Sequence, residues 1–420
     1  MKSHTSADAA EPQVPPARKD GMPAAAPLRP RPAISPWWWL ILFSAAALNL
    51  RAPVVVLGPL LAPLMESLSL SASQASLLSA GMVICFGLLS PFAPAVAARL
   101  GLDRAVAWAV TAIAAGGMLR AVPEFGLMLV GTLIAGTGIA FGNVFLPSLV
   151  KRDRPDRIGS TMGLYTVVMG IGATLAAGAA IPLMELSGSW SGPFLWIGAF
   201  GLLTSFAWWA VALRSGKVAA GASQPSFTAL LRNRTAWILT TFMGIQSLGF
   251  YTIQAWVAAV AVDGGVSHRD AGWMLSLINF TSIPASYIVA RWAAKSRNQG
   301  LFALGLTGMI MVAVVGLAVA PAEAPLAWAI LLGIGQSGCF SLALTLIVLR
   351  SQTPADAAAL SAMTHCIGYT FAAAGPLAFG ALQSLSGSWT PSLMAMLGLL
   401  AIQAWIGLAI GRTRPVSLRQ

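Results

Sequence analysis

Long runs of apolar residues, separated by short polar stretches, fill the chain from about residue 37 to residue 411. A helix that crosses the hydrocarbon core of a bilayer needs about 20 mostly apolar residues. Twelve runs reach that length and predict twelve membrane-spanning helices, with boundaries good to about 2–4 residues. They lie at 37–64, 74–98, 104–121, 126–150, 160–185, 193–213, 236–262, 271–293, 300–320, 325–349, 358–384 and 390–411.

The composition agrees with a chain that has lipid as its main solvent. Of its 420 residues, 57% are hydrophobic and 9% are charged, whereas a soluble domain carries about 25% charged residues. Cys85, Cys339 and Cys366 lie in apolar runs and lack the spacing of a metal or redox motif, so we interpret them as packing residues. The sequence indicates no cofactor and no metal.

The basic residues are distributed in alternate connections along the chain. A formal net charge of +12 would suggest nucleic-acid binding if the protein were soluble. With the N-terminus inside, however, 22 of the 25 Lys and Arg fall on the cytoplasmic side, Arg120 and Arg269 fall outside, and Arg51 lies within the membrane. Because cytoplasmic loops are rich in Lys and Arg, this predicts a bacterial inner-membrane protein with both termini cytoplasmic, and no nucleic-acid partner.

Composition also predicts where the chain divides. Residues 1–36 are rich in Pro, Ala and charge, which is typical of a disordered cytoplasmic tail rather than a secretory signal. The longest internal connection, at 214–235, contains Gly, Ser, Pro and four basic residues. We therefore predict a cytoplasmic linker there, between six-helix halves at 37–213 and 236–411, and a cytoplasmic tail at 412–420.

A repeated string relates the two predicted halves. LSGSW occurs at 186–190 and again at 385–389, an offset of 199, each time before the last predicted helix of its half. Pro155 and Pro354 follow the same offset. Parallel repeats of this kind place a substrate site near the membrane midplane between two halves that rock against each other. The predicted fold is an all-α polytopic membrane protein with two pseudo-symmetric six-helix halves.

Four stretches carry a resemblance to a known family. They are NLRAPVVVLGPLL (Asn49–Leu61), GNVFLPSLVKRDRPDRIGSTMGLYT (Gly142–Thr166), QSLGFYTIQAW (Gln246–Trp256) and HCIGYTFAAAGPLAFG (His365–Gly380). On these residues the chain resembles a major facilitator, and more closely the cyanate permease family, which includes cyanate and nitroimidazole transporters. The resemblance implies a monomeric transporter of a small-molecule substrate.

The chain departs from the family pattern at two places. The family's first block usually reads NLRP, whereas here Ala52 stands between Arg51 and Pro53. The facilitator signature after the second helix is reduced to Gly101, Asp103 and Arg104. Asp103 and Arg104 are therefore the candidates for a cytoplasmic gate.

Arg51 is the most informative single residue. It lies about 14 residues into the first predicted helix, which at 1.5 Å per residue is near the midplane, and no Asp or Glu lies at that depth in the twelve segments. An arginine there costs at least about 2.5–3.5 kcal/mol. A guanidinium can pair with a planar oxyanion through two hydrogen bonds, so we predict anion binding; the alternative is an arginine that holds backbone carbonyls.

Helix seven supplies the next candidates. Tyr251 lies 200 residues after Arg51, so the repeat places both at one central cavity. Gln246 and Gln254 lie about two turns apart along one stripe of that helix, where they could bind substrate or bond neighbouring helices. Two further aromatic candidates for the cavity wall are Trp256 and Tyr165.

His365 is the only histidine within the predicted membrane segments. Protonated, it would add a second positive group and permit proton coupling; neutral, it would bond across helices. Asn49 lies about 200° around the helix from Arg51, and either orients its neighbours, bonds another helix or contacts the ligand. Asn143 and Asn279 allow the same alternatives.

These residues predict a secondary transporter of a small anion or small polar organic compound, working by alternating access with or without a co-transported proton. A broad drug exporter is the alternative, but it usually needs an intramembrane acid for cationic drugs. An intramembrane enzyme would need a catalytic group that one buried histidine without a carboxylate does not supply. A receptor that binds without transport would show no flux.

Overall fold

A computed structural model of the protein describes residues 35–70, 72–215 and 230–411. The predicted tails, apart from residues 35 and 36, and most of the predicted linker lie outside these residues. Apart from α9 and α10, consecutive helices are joined by short connections. These helices are α1 (Pro36–Asn49), α2 (Ala52–Val55), α3 (Leu57–Leu68), α4 (Ala72–Leu89), α5 (Ala93–Leu100), α6 (Leu102–Leu119), α7 (Phe125–Asp153), α8 (Ile158–Ser187), α9 (Gly192–Arg214), α10 (Arg234–Asp263), α11 (His268–Lys295), α12 (Gln299–Val319), α13 (Pro325–Leu349), α14 (Pro354–Ser386) and α15 (Thr390–Ile410).

The predicted membrane segments are found as helices. Among the described residues, eleven helical stretches are long and apolar enough to cross a membrane. The remaining predicted segment, 358–384, lies within the 33-residue helix α14. The all-α polytopic fold is confirmed.

The first membrane segment is broken at its centre. α1 ends at Asn49, and α2 begins at Ala52. The amides of Leu50 and Arg51 bond to carbonyls three residues earlier, which forms a tight turn. Pro53 has no amide hydrogen and cannot donate to the carbonyl of Asn49. The structure therefore divides the single segment predicted at 37–64, and Arg51 lies in the turn.

The repeated LSGSW string forms the same turn twice. Gly188 and Gly387 end α8 and α14 with φ angles of 66° and 72°, a left-handed conformation that favours glycine. The hydroxyls of Ser187 and Ser386 each lie 2.7 Å from the carbonyl oxygen four residues earlier. The repeat thus marks equivalent positions in the two halves.

The two halves contact each other closely along the first part of α8. A Cβ atom at Gly159 would lie 2.8 Å from the carbonyl oxygen of Ala290 in α11, and one at Gly163 would lie 3.1 Å from that of Tyr287. Only glycine allows such an approach of the two backbones. A Cβ atom at Gly178, near the other end of α8, would meet nothing within 4 Å.

Beyond this contact, polar side chains of α8 and α11 are exposed. Thr174 lies about three to four turns after Gly163 and Gly159 on the same stripe of α8. Ser276 and Asn279 lie on the facing stripe of α11. Polar groups are costly in lipid, so these residues indicate an aqueous opening. The molecule is closed at the end where α8 begins and open at the end where α8 ends.

Candidate functional site

Arg51 lies in the break of the first segment and extends to the other half of the molecule. Its guanidinium lies within electrostatic range of the hydroxyl of Tyr251 in α10, and its Cζ lies 5.8 Å from the ring centroid of Phe340 in α13. That distance is within the range of a cation–π interaction. The side chain remains partly accessible, so it borders the space between the halves.

Three of the chain's four tyrosines converge on this guanidinium. Besides Tyr251, Tyr165 of α8 and Tyr369 of α14 lie within electrostatic range of Arg51. The rings of Tyr251 and Tyr369 meet edge to face, with centroids 6.3 Å apart. Tyr165 donates a hydrogen bond of 3.1 Å to Oδ1 of Asn143. Phenol groups from both halves therefore surround one positive charge.

His365 completes this group, which we call the central cluster (Arg51, Tyr165, Tyr251, Phe340, His365 and Tyr369). Its ring is buried, with its centroid 5.4 Å from that of Tyr369. Nδ1 lies 2.7 Å from the carbonyl oxygen of Ser361 and must donate to it, because a carbonyl only accepts. Nε2 is then the ring nitrogen that can take up a further proton.

The central cluster contains a cation without a carboxylate partner. Among the described residues, Arg51 forms no salt bridge. The groups that interact with its charge are neutral phenols and an aromatic face. A guanidinium surrounded by neutral hydrogen-bonding groups can accept an anion or an electron-rich oxygen without displacing a competing acid.

The two glutamines of α10 occupy different surroundings. Gln246 is buried; its Nε2 donates to the carbonyl of Gln336 in α13 at 3.3 Å, and its Oε1 accepts from Ser247 at 3.2 Å. Gln254 donates to Oδ1 of Asn279 at 3.2 Å, close to the exposed polar stripe of α11. The first glutamine joins helices within one half, and the second lies toward the aqueous opening.

Asn49 and Trp256 are both engaged with neighbouring helices. Asn49 is buried and its Nδ2 donates to the carbonyl of Ala45 at 2.8 Å and to the hydroxyl of Thr204 in α9 at 3.2 Å. Trp256 donates from Nε1 to the carbonyl of Pro376 at 2.9 Å and packs against Trp389. The structure thus places both in contacts within their own half.

The candidate gate residues lie at the closed end. Asp103, in the first turn of α6, accepts two hydrogen bonds from Arg152 of α7, at 2.6 and 3.2 Å. Arg152 also bonds Asp153, which accepts from the indole of Trp39 at 2.9 Å. Arg104 follows Asp103 and is partly exposed. Asp103 therefore joins an ionic network that ties three helices of the first half.

Sequence reasoning missed Tyr369 and Phe340. Tyr369 follows His365 by four residues, so the two lie on one face of α14, and tyrosine is scarce, with four in the whole chain. Those two signals together could have indicated it. Phe340 is one of 17 phenylalanines, and only its approach to Arg51 distinguishes it.

The helical bundle and the charged centre between its halves define a membrane transporter rather than an enzyme. The sequence model of the Major Facilitator Superfamily matches residues 37–373. The chain belongs to the Major Facilitator Superfamily.

Individual relatives agree with this family. A 2-nitroimidazole transporter of Escherichia coli (strain K12) is 33% identical over 88% of this chain and 94% of its own length. The cyanate transport protein CynX of the same organism is 28% identical over 86% of this chain and 95% of its own length. The crystal structure of the transporter FucP in the outward conformation covers 88% of this chain and 98% of its own, with a TM-score of 0.72 at 14% identity, which shows the shared fold.

Proposed function

We propose that the protein is a secondary transporter of a small anion or a small polar organic compound, of the cyanate or nitroimidazole type. The observation that carries the proposal is Arg51, a partly accessible cation between the halves that is held by a phenol and an aromatic face rather than by a carboxylate. The names of the two relatives, a nitroimidazole and a cyanate transporter, support this substrate class.

In this proposal the central cluster supplies the ligand contacts. Arg51 binds the negative or electron-rich oxygen, Tyr251 adds a hydroxyl, and His365 adds a second donor when it is protonated. Gln254 lies along the approach from the open end. Gln246, Asn49 and Trp256 support the surrounding helices through the bonds described above.

In this proposal, transport results from the movement of the two halves relative to each other. The open end is the one that the charge pattern predicts to be periplasmic, in a bacterial inner membrane with cytoplasmic termini. Rocking of the halves about the central cluster would close this end and open the other. Asp103, with Arg104 beside it, would hold the cytoplasmic ends of the first-half helices together during that change. The protein acts as a monomer, with lipid and its substrate as partners.

Thermal stabilisation of the purified protein tests the proposal. Wild type and Arg51→Ala are melted with cyanate, 2-nitroimidazole, a series of small inorganic anions and a set of lipophilic cations. A ligand that binds only the native state stabilises it by about 2.7 kcal/mol at 100 times its Kd. We expect an anion or nitroimidazole to raise the melting temperature of wild type and not that of Arg51→Ala.

The same compounds are then followed for flux into proteoliposomes. Stabilisation by lipophilic cations alone would favour a broad drug exporter, and equal stabilisation of both proteins would show that Arg51 does not bind the ligand. Arg51-dependent binding without flux would indicate a receptor and contradict transport.

A further inference from the structure

A second arginine is buried near the break in the first membrane segment. Arg120 caps α6 at its C-terminus and has an exposed fraction of 0%. Its Nη1 donates a 2.6 Å hydrogen bond to the carbonyl oxygen of Pro53. Its Cζ lies 4.6 Å from the ring centroid of Phe194 in α9. One carbonyl and one aromatic face therefore hold this charge.

The surroundings of Arg120 leave most of its donors unused. Within the described part of the chain, Nε and Nη2 have no hydrogen-bond partner, and no carboxylate forms a salt bridge with the guanidinium. Burying a charge with so little compensation is costly. An apolar residue at this position would avoid the cost of burying the charge. We therefore look for the role of Arg120 in the one hydrogen bond that it makes.

That contact is made at the break which presents Arg51. Pro53 follows Arg51 by two residues and belongs to the four-residue helix α2. A helix so short has little internal hydrogen bonding to fix its direction. A short, charge-assisted bond to one of its carbonyls attaches α2 to α6, and thereby fixes the turn from which the Arg51 side chain extends.

The second half of the molecule lacks both the break and the arginine. The position 200 residues after Arg120 is Ala320, which caps α12 as Arg120 caps α6. The position 200 residues after Pro53 is Ile253, and α10 runs through it without interruption from Arg234 to Asp263. At these matched positions, the arginine therefore accompanies the broken helix, and an alanine accompanies the continuous one.

We infer that Arg120 is a positioning residue, which holds the helix break so that Arg51 points into the central cluster beside Tyr251. The inference rests on the proposed function in one respect, namely that Arg51 binds the ligand. Arg120 acts through the backbone of Pro53 and does not touch the substrate.

The test uses Arg120→Met and Arg120→Lys in the full chain. Ligand titration with the compound found for wild type gives Kd, and hydrogen–deuterium exchange without ligand reports on the amides of residues 50–57. We expect Arg120→Met to raise Kd at least about tenfold and to speed exchange in this segment. Arg120→Lys keeps a charged donor and should therefore partly restore both the ligand affinity and the slow exchange of these amides.

Arg350→Met is the matched control. Arg350 also caps a helix, α13, and its Nη2 donates to a backbone carbonyl, that of Ile410, at 3.2 Å. Its loss should lower the melting temperature yet leave Kd within about twofold and leave exchange at 50–57 unchanged. If Arg120→Met behaves as Arg350→Met does, Arg120 is only a stabilising residue and the inference is wrong.

Combination with Arg51→Ala separates this inference from the proposed function. In the Arg51→Ala background, Arg120→Met should change ligand binding no further, because the group that it positions is gone. If Arg51→Ala binds like wild type, the proposed function fails, while exchange at 50–57 still tests whether Arg120 holds the break. If Arg120→Met does not fold, Arg120→Gln, which keeps a neutral donor, replaces it in the same comparison.

Discussion

At the residue scale, the central cluster is defined by what surrounds Arg51. Its partners are a phenol hydroxyl, two further phenols at electrostatic range and the face of Phe340. None of these groups carries a negative charge, whereas an acid would form a salt bridge with the guanidinium that a ligand would have to displace. The cluster is therefore suited to release its ligand as well as to bind it.

Tyr369→Phe tests whether the phenol that sequence reasoning missed takes part in binding. A hydrogen bond between neutral groups makes a net contribution of about 0.5–1.5 kcal/mol. We therefore expect Kd for the ligand to rise about 2- to 10-fold in the titration. The control is Tyr287→Phe, the same chemical change in the fourth tyrosine, which packs against Gly163 in the contact between the halves. Equal Kd values for the two variants would remove Tyr369 from the site.

The sequence was sufficient to indicate part of the central cluster. A charge at membrane depth is rare enough to identify Arg51, and the repeat offset placed Tyr251 opposite it. The sequence could not show that Asn49 turns toward Thr204 or that Gln246 bonds Gln336, because both depend on the local rotation of one helix against another. An amide side chain can bond a ligand or a neighbouring helix equally well, so the residue type does not decide between these two roles.

At the scale of the element, the break after Asn49 interrupts the regular helical hydrogen bonding at the residue that carries the key side chain. In a continuous helix, the amide of residue 53 would donate to the carbonyl of Asn49 and residue 51 would face a direction fixed by the helical period. Pro53 removes that donor. The prediction of one segment at 37–64 was correct in length and could not include the break, since proline within a membrane helix is often accommodated by a kink alone.

Pro53→Ala restores the missing amide hydrogen and should allow α1 and α2 to join. We expect the variant to keep or raise its melting temperature while Kd for the ligand rises about tenfold, equivalent to about 1.4 kcal/mol, because Arg51 turns away from Tyr251. Pro63→Ala serves as the control, since Pro63 lies inside α3, beyond the break. A loss of melting temperature with unchanged Kd would argue that the break is only structural.

At the scale of the whole molecule, the contact between α8 and α11 determines which end is open. Their backbones meet at Gly159 and Gly163 and are apart at Gly178. The family resemblance and the LSGSW repeat predict two halves, and the string forms the same turn at both of its positions. Which end is open could not be predicted, because the same sequence must form both the state open at one end and the state open at the other.

Gly159→Ala should weaken the closed end. Its Cβ would lie 2.8 Å from the carbonyl oxygen of Ala290, so the halves must move apart. A shift of about 1.4 kcal/mol would raise the population open at that end about tenfold. Thiol labelling of Ser361→Cys, a position buried where α14 meets α7, measures this shift, with the label located by mass spectrometry.

Gly178→Ala is the matched control for this variant, since it makes the same change in the same helix where nothing lies within 4 Å. It should leave the labelling rate of Ser361→Cys as it is in the parent protein. If both alanine variants label alike, the glycine contact does not set the equilibrium between the two ends.

The neutral surroundings of Arg51 also have an electrical consequence under the proposed mechanism. When an anion occupies the central cluster its charge cancels that of the guanidinium, so the loaded molecule changes state without moving net charge from this site. The empty molecule returns with one unbalanced positive charge in the membrane field, and a charge that crossed the whole field would be subject to about 2.3 kcal/mol per 100 mV. Membrane voltage therefore acts on the return of the empty transporter rather than on the step that carries the substrate.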